Sequence, residues 1–280
     1  MRLALVLFIL TFCTACSHLK PPPSKQWRCE PSAHRGVQTN GSSSVSENSL
    51  AGIQLAEIFQ IPYVEIDVRA SLDGELFLYH DRRLHTDRIQ NLGEHAELPL
   101  NSLTSTQLKG LRLINGEEIP TLADGLTVID KLPSSITVHL DLKSEQIPFM
   151  QKVLAELQKF QNATQKIMIQ CESFVCLEFW TKSAPEIRIL ARVHDPTELE
   201  ERLRFHPAFV QMDADDLTKC LVASAHSNGA KLSVKTLGDL PENEESWRML
   251  CEWGVDMILT DRPVEVRKFI AASKPPVAQM

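Results

Sequence analysis

Nine short apolar runs, most of them separated by amphipathic stretches, restrict the fold of this 280-residue chain more than any other feature. They lie at 32–36, 63–69, 75–80, 136–142, 166–171, 187–193, 208–213, 230–235 and 255–260, each of strand length. Helical spacing fills the gaps, as with Leu50, Ile53, Leu55, Ile58 and Phe59. Asp213 to Asp216 reads as a strand end and loop, after which Leu217, Cys220, Leu221 and Ala225 resume the helical period. Strands alternating with helices predict a parallel sheet covered by helices. One run does not fit that scheme. Ser71-Leu72-Asp73-Gly74 carries an Asp-Gly turn signal, and a parallel crossover needs about a dozen residues or more. Run 75–80 therefore folds back antiparallel, as a β-hairpin flap after the second strand. The remaining eight βα units predict a TIM (β/α)8 barrel, with a doubly wound open sheet as the alternative architecture.

The barrel is expected over residues 32–273, with 274–280 as a tail. Ahead of it, Met1-Arg2 is a short positive segment and Leu3 to Phe12 is almost wholly apolar. That run is about half of the roughly twenty residues needed to span a bilayer, so residues 1–16 read as a signal peptide. Thr14-Ala15-Cys16 resembles a bacterial lipobox, with Cys13 where that motif usually has leucine. Cys16 is then the lipidated first residue of an exported, membrane-anchored envelope protein, facing the periplasm or the outer surface. Residues 17–31, with Pro21-Pro22-Pro23, read as a semi-extended tether.

A net charge of −7 without a basic stripe makes nucleic acid a poor partner. An anionic substrate must be captured by a local cation, and Arg35, Lys143 or a metal can supply it. Beyond Cys16, Cys29, Cys171, Cys176, Cys220 and Cys251 are odd in number and scattered. They form neither a disulfide framework nor a CxxC metal pair, and read mainly as small buried hydrophobes, one bridge remaining open.

Side chains alternate faces along a strand. In 63–69 one face carries Tyr63, Glu65, Asp67 and Arg69, the other Val64, Ile66 and Val68. In 136–143 one face carries Thr137, His139, Asp141 and Lys143, the other Ile136, Val138, Leu140 and Leu142. The apolar faces must meet the helices, so Glu65, Asp67, Asp141 and Lys143 point into the barrel near its C-terminal mouth. Three converging carboxylates are costly unless compensated. The remedies are a bound cation or ion pairs with Arg35, Arg69 and Lys143. Oxygen-only ligation favours one hard divalent cation, Ca²⁺ or Mg²⁺. His34 closes the first strand and His80 the flap, which brings two imidazoles to the same mouth for general acid and base work. His139 lies a layer deeper and reads as a hydrogen-bonded core residue. His18 falls in the tether, and His85, His95, His194, His206 and His226 fall in loops or helices, where a solvated surface is the default.

His34-Arg35-Gly36, Glu47-Asn48, Glu65-Ile66-Asp67-Val68, Asp73-Gly74 and His80-Asp81 together resemble the signature of glycerophosphodiester phosphodiesterases. Ile119-Pro120-Thr121-Leu122, Leu140-Asp141-Leu142-Lys143, Gly254-Val255-Asp256 and Thr260-Asp261-Arg262-Pro263 extend the resemblance over about 34–265. It implies a TIM barrel that hydrolyses a glycerophosphodiester to sn-glycerol 3-phosphate and an alcohol. It further implies that Glu65, Asp67 and Asp141 bind the divalent metal, that His34 and His80 form the acid/base pair, and that Arg35 and Lys143 hold phosphate oxygens. The chain departs from the pattern in three places. The family usually has glutamate at Asp141. It commonly has Trp-Thr-Val-Asn where this chain has Leu232-Ser233-Val234-Lys235, which makes Lys235 a substrate-contacting candidate. Gln170-Cys171-Glu172 replaces Gln-Ser-Phe, leaving Glu172 as a possible extra ligand. Two other readings keep the barrel: action on intact phospholipid, and head-group binding without turnover. The lack of an apolar loop at the mouth counts against the first, and the intact His34 and His80 against the second.

Overall fold

The computed structural model describes residues 28–39, 45–237 and 240–273. The expected signal peptide, Cys16, most of the tether and the tail 274–280 lie outside the described residues. Among the described residues no helix is long and apolar enough to cross a membrane.

Eight parallel strands close into a barrel. They are β1 (Glu30–Ala33), β2 (Tyr63–Ala70), β6 (Thr137–Leu142), β7 (Ile167–Cys171), β8 (Arg188–Arg192), β9 (Phe209–Asp213), β10 (Lys231–Lys235) and β11 (Met257–Thr260). The ring runs β1-β11-β10-β9-β8-β7-β6-β2 and is closed by pairing of β1 with β2. Each strand is followed by helix: α1 (Leu50–Ile58), then, past a long excursion that holds α2 (Ser105–Lys109), α3 (Leu122–Lys131), α4 (Ile147–Leu157) with α5 (Gln161–Lys166), α6 (Phe174–Ser183), α7 (Leu199–Leu203), α8 (Lys219–Ser227), α9 (Glu244–Trp253) and α10 (Pro263–Ser273). The short strand β3 (Leu76–Leu78) pairs antiparallel with the end of β2, Val68 opposite Leu78 and Ala70 opposite Leu76. At the turn between them the Gly74 N–H donates to Ser71 O at 3.0 Å, with Gly74 at a φ of +84°.

The first strand starts earlier than expected, inside the stretch read as tether. The Glu30 N–H donates to Asp256 O at 2.9 Å, and Cys29 is fully buried. It also ends earlier, at Ala33, because Arg35 and Gly36 adopt positive φ and turn the chain. Gly36 is required there by more than its dihedral, since a Cβ would meet the Gly52 backbone at 3.3 Å.

Alternation of side chains sorts each strand into two environments. Val64, Ile66 and Val68 of β2 and Val138, Leu140 and Leu142 of β6 are buried against the helices, with Ile53 and Ala56 of α1 and Leu126 and Ile129 of α3. The inward face is layered. Its bottom is apolar, with Met168, Leu190, Phe209 and Met257 clustered beside Tyr63. Tyr63 and Phe209 meet edge to face at 5.6 Å between centroids. Above lies a polar layer in which the Ser32 hydroxyl and His139 Nε2 are 2.9 Å apart. Burial drives the His139 imidazole down to about 3, so it stays neutral, a core residue as expected. The top layer is the mouth.

One element was not foreseen in the sequence. Between β3 and α3 the chain leaves the barrel and builds a second small core from Phe77, Tyr79, Leu84, Ile89, Leu92, Leu100, Leu103, Leu108, Leu111, Leu113 and Ile119. A two-stranded ribbon, β4 (Ile89–Gln90) with β5 (Arg112–Leu113), crosses it.

Candidate active site

The mouth is a cavity of about 570 Å³ whose lining includes His34, Arg35, Glu65, Asp67, His80, Asp141, Lys143 and Lys235. Every residue given a catalytic, metal-binding or substrate-binding role from sequence lines it, whereas Arg69, expected as an ion-pair partner of the carboxylates, does not. Glu65 and Asp67 stand two apart on β2, and Asp67 is directly opposite Asp141 in the parallel register of β2 and β6. Ligand oxygens of Glu65, Asp67 and Asp141 lie within 4.8 Å of one another.

Ion pairs compensate part of this charge. Lys143 Nζ lies 2.7 Å from Asp67 Oδ1 and 2.5 Å from Asp141 Oδ2. Arg35 Nε is 3.8 Å from Asp67 Oδ2, and Arg35 Nη1 is 3.1 Å from Glu47 Oε2. Burial opposes ionisation of Asp67, but Lys143, His80 and Asn48 outweigh it and hold that carboxyl below its ordinary value. Asp141 is pushed up, by burial first. Glu65 is left in the poorest position. Its Oε2 accepts the Arg35 backbone N–H at 2.7 Å, while its Oε1 is buried with no partner. Burial and then Asp67 and Asp141 push its carboxyl well up. A divalent cation fits that arrangement, because it would take the orphaned oxygen and offset the mutual repulsion of three carboxylates.

Each mouth histidine is oriented by a carboxylate. His34 Nδ1 lies 2.7 Å from Asp261 Oδ1 and His80 Nδ1 lies 2.8 Å from Asp81 Oδ1. An Nδ1 so engaged leaves Nε2 available. His34 is placed by the strand below it, its backbone N–H donating to Thr260 O at 3.1 Å. Arg69, on the inward face of β2, donates from Nε to the backbone carbonyl of His80 at 2.7 Å. Burial lowers the His80 imidazole, against the pull of Asp67 and Asp81.

Other cavity residues carried no assigned role in the sequence reading. Arg88, from the excursion, comes within 3.5 Å of Glu47 and so adds a cation to the site. Arg192 and Gln211 line the wall formed by β8 and β9. The inward-facing parity of their strands was the available signal, though it does not reveal their partners. Glu172 lines the rim, where its Oε2 sits 3.3 Å from His194 Nε2, apart from the carboxylate cluster. Just before it, Cys171 is disulfide-bonded to Cys176, so the two are not simple buried hydrophobes. Cys29 and Cys251 are free and buried, in keeping with that expectation.

The profile of the glycerophosphoryl diester phosphodiesterase family matches residues 34–265, the whole span of the site and most of the barrel. The chain belongs to that family. A glycerophosphodiester phosphodiesterase of Caldanaerobacter subterraneus is 27% identical over 248 residues, covering 82% of this chain and 93% of the relative. One of Bacillus subtilis is 24% identical over 255 residues, covering 82% and 83%. The barrel is similar to a crystal structure of the enzyme from Parabacteroides distasonis, with a TM-score of 0.73, 22% identity, and 88% and 98% of the two chains covered. It is also similar to an Oleispira antarctica phosphodiesterase solved with sn-glycerol 3-phosphate, with a TM-score of 0.70, 23% identity, and 86% and 96% covered.

Proposed function

We propose that this phosphodiesterase hydrolyses glycerophosphodiesters to sn-glycerol 3-phosphate and an alcohol, with one divalent cation, Ca²⁺ or Mg²⁺, held by Glu65, Asp67 and Asp141. The observation that carries the reading is the buried, unpartnered oxygen of Glu65 beside two further carboxylates, at a mouth flanked by two carboxylate-oriented histidines. When bound, the cation supplies Lewis-acid stabilisation of the charge that develops on the phosphoryl oxygens. Arg35 and Lys143 hold the other phosphate oxygens and add to that stabilisation. One of His34 and His80 removes a proton from the nucleophile through its free Nε2, and the other protonates the departing alkoxide. Lys235 contacts the substrate from β10. Among the described residues Leu237 and Leu259 are the sole apolar side chains lining the cavity, which favours a polar diester over the acyl chains of an intact phospholipid. We further propose, on the lipobox alone, that Cys16 is lipidated and holds the barrel at a bacterial membrane.

The test is release of sn-glycerol 3-phosphate by the purified protein from glycerophosphocholine, glycerophosphoethanolamine and glycerophosphoglycerol, with Ca²⁺, Mg²⁺ or a chelator. Release that needs a divalent cation and is lost in Asp67→Asn is the expected result. No release from any diester rejects the reaction. Release that survives both chelation and Asp67→Asn rejects the metal.

A further inference from the structure

The ring order places β9 four strands from β2 in either direction, so the cavity has two facing walls. The wall of β2 and β6 carries the carboxylates. The opposite wall, of β8, β9 and β10, presents Arg192, Gln211 and Lys235 to the same cavity. The Arg192 side chain is only 6% exposed, and its Nη2 is held by Asp213 on the neighbouring strand. Its Nη1 is buried with no hydrogen-bond partner. An orphaned donor of a buried guanidinium is costly, which makes it a place where a ligand atom belongs. Lys235 lies beside Asp213 in register and lines the cavity, with no ion pair among the described residues. The nearby acids are engaged elsewhere: Asp213 by Arg192, Glu172 by His194 at the rim, and Asp261 by His34. Gln211 donates to Ser233 at 3.2 Å, which steadies the floor between the two cations. No aromatic side chain lines the cavity among the described residues, so nothing there forms a cage for a quaternary ammonium.

We infer that Arg192 and Lys235 form an anion subsite for the leaving alcohol, so that the preferred diesters are those whose alcohol carries a second negative group, such as a further phosphate. This rests on the reaction proposed above, in which the scissile phosphate is held at the opposite wall. The second anion completes the hydrogen bonding of Arg192, and Lys235 supplies the uncompensated charge that draws it in.

The test compares kcat/KM for bis(glycerophospho)glycerol, whose leaving alcohol bears a second phosphodiester, with kcat/KM for glycerophosphocholine. The wild type is expected to favour the first by about tenfold or more, the scale of one charge-assisted contact. That ratio falls towards one in Lys235→Gln and in Arg192→Gln, mainly through KM. Lys235 is half-exposed, so its variant tests the subsite even where Arg192→Gln, which strands Asp213, does not fold. A wild-type ratio near or below one, or a ratio unchanged in Lys235→Gln, overturns the inference while leaving the proposed reaction intact. Where no diester is hydrolysed, calorimetric titration with non-hydrolysable phosphonate analogues of the two compounds decides. Tighter binding of the doubly charged analogue, lost in Lys235→Gln, upholds the subsite without the reaction, and equal binding rejects both.

Discussion

Asn48 holds Asp67 at two points, its amide nitrogen donating to Asp67 Oδ2 at 2.7 Å and its amide oxygen accepting the Asp67 backbone N–H at 2.9 Å. The pair fixes the rotamer of the most central carboxylate of the site. Asn48 itself sits at a φ of 53°, a conformation asparagine tolerates better than most residues. Asn48→Ala is expected to weaken divalent-cation affinity by roughly 10- to 100-fold, the usual effect of losing a hydrogen bond that orients a ligand. Calorimetric titration with Ca²⁺ and Mg²⁺ measures it, and unchanged affinity rejects the positioning role.

Glu65→Gln separates the electrostatic cost of the site from its use. Without a divalent cation, Glu65 is buried among like charges, and its amide analogue removes that repulsion. The variant is expected to melt higher than the wild type in chelator. In millimolar Ca²⁺ or Mg²⁺ the wild type is expected to gain stability through binding to the folded state, and the variant is not. Equal melting curves under all conditions argue that no cation binds there.

His34→Ala and His80→Ala are each expected to lower kcat by roughly 10²-fold or more, the range for loss of a general acid or base. Asp261→Asn and Asp81→Asn should fall between the wild type and these variants, because each leaves the ring in place but loosens its orientation. Steady-state kinetics read the order directly. A histidine whose removal costs only a few fold has no part in proton transfer.

Two histidines outside the chemistry carry opposite pH signatures. Burial holds His139 at about 3, so between the ordinary value of 6.5 and that point the unfolded chain binds a proton the folded protein refuses. Its contribution is complete above pH 6.5 and is lost as the pH falls, by about 1.4 kcal/mol per unit. His226 is raised by its hydrogen bond with Asp256, Nε2 to Oδ2 at 2.7 Å. Its contribution is present below pH 6.5 and is lost as the pH rises through the raised value. Urea midpoints from pH 5 to 8 are expected to show a shallower acid decline for His139→Gln than for the wild type. The deficit of His226→Gln should shrink with rising pH. Parallel curves for either variant contradict the corresponding assignment.

What was legible in the sequence follows from which signals are local. Face alternation along 63–69 and 136–143 needs no knowledge of the fold, and it sent Glu65, Asp67, Asp141 and Lys143 to one mouth. The Asp73-Gly74 turn is equally local, and it singled out the one run that does not belong to the parallel set. The excursion was hidden because its core residues, Leu84, Ile89, Leu92, Leu100 and Leu108 among them, sit on ribbons, turns and a five-residue helix too short to show a period. Arg192 was passed over for another reason. Its significance depends on Asp213 across the β8–β9 boundary and on an empty donor, and both are products of strand register. The Cys171–Cys176 bridge likewise joins a strand end to the first turn of the next helix, and an odd count of cysteines does not announce such a pair.

The excursion that follows β3 begins and ends at one place on the barrel. Leu78 donates its backbone N–H to Pro120 O at 2.8 Å, and Phe77 is bridged to Thr121. Once such a neck is closed, doubling the length of the loop beyond it costs only about 0.6 kcal/mol in closure entropy. Residues 84–119 therefore behave as a cassette, closed at its neck and carrying its own small core. Because Arg88 enters the cavity from inside that cassette, a change confined to it would alter the charge of the mouth without replacing a residue of any barrel strand.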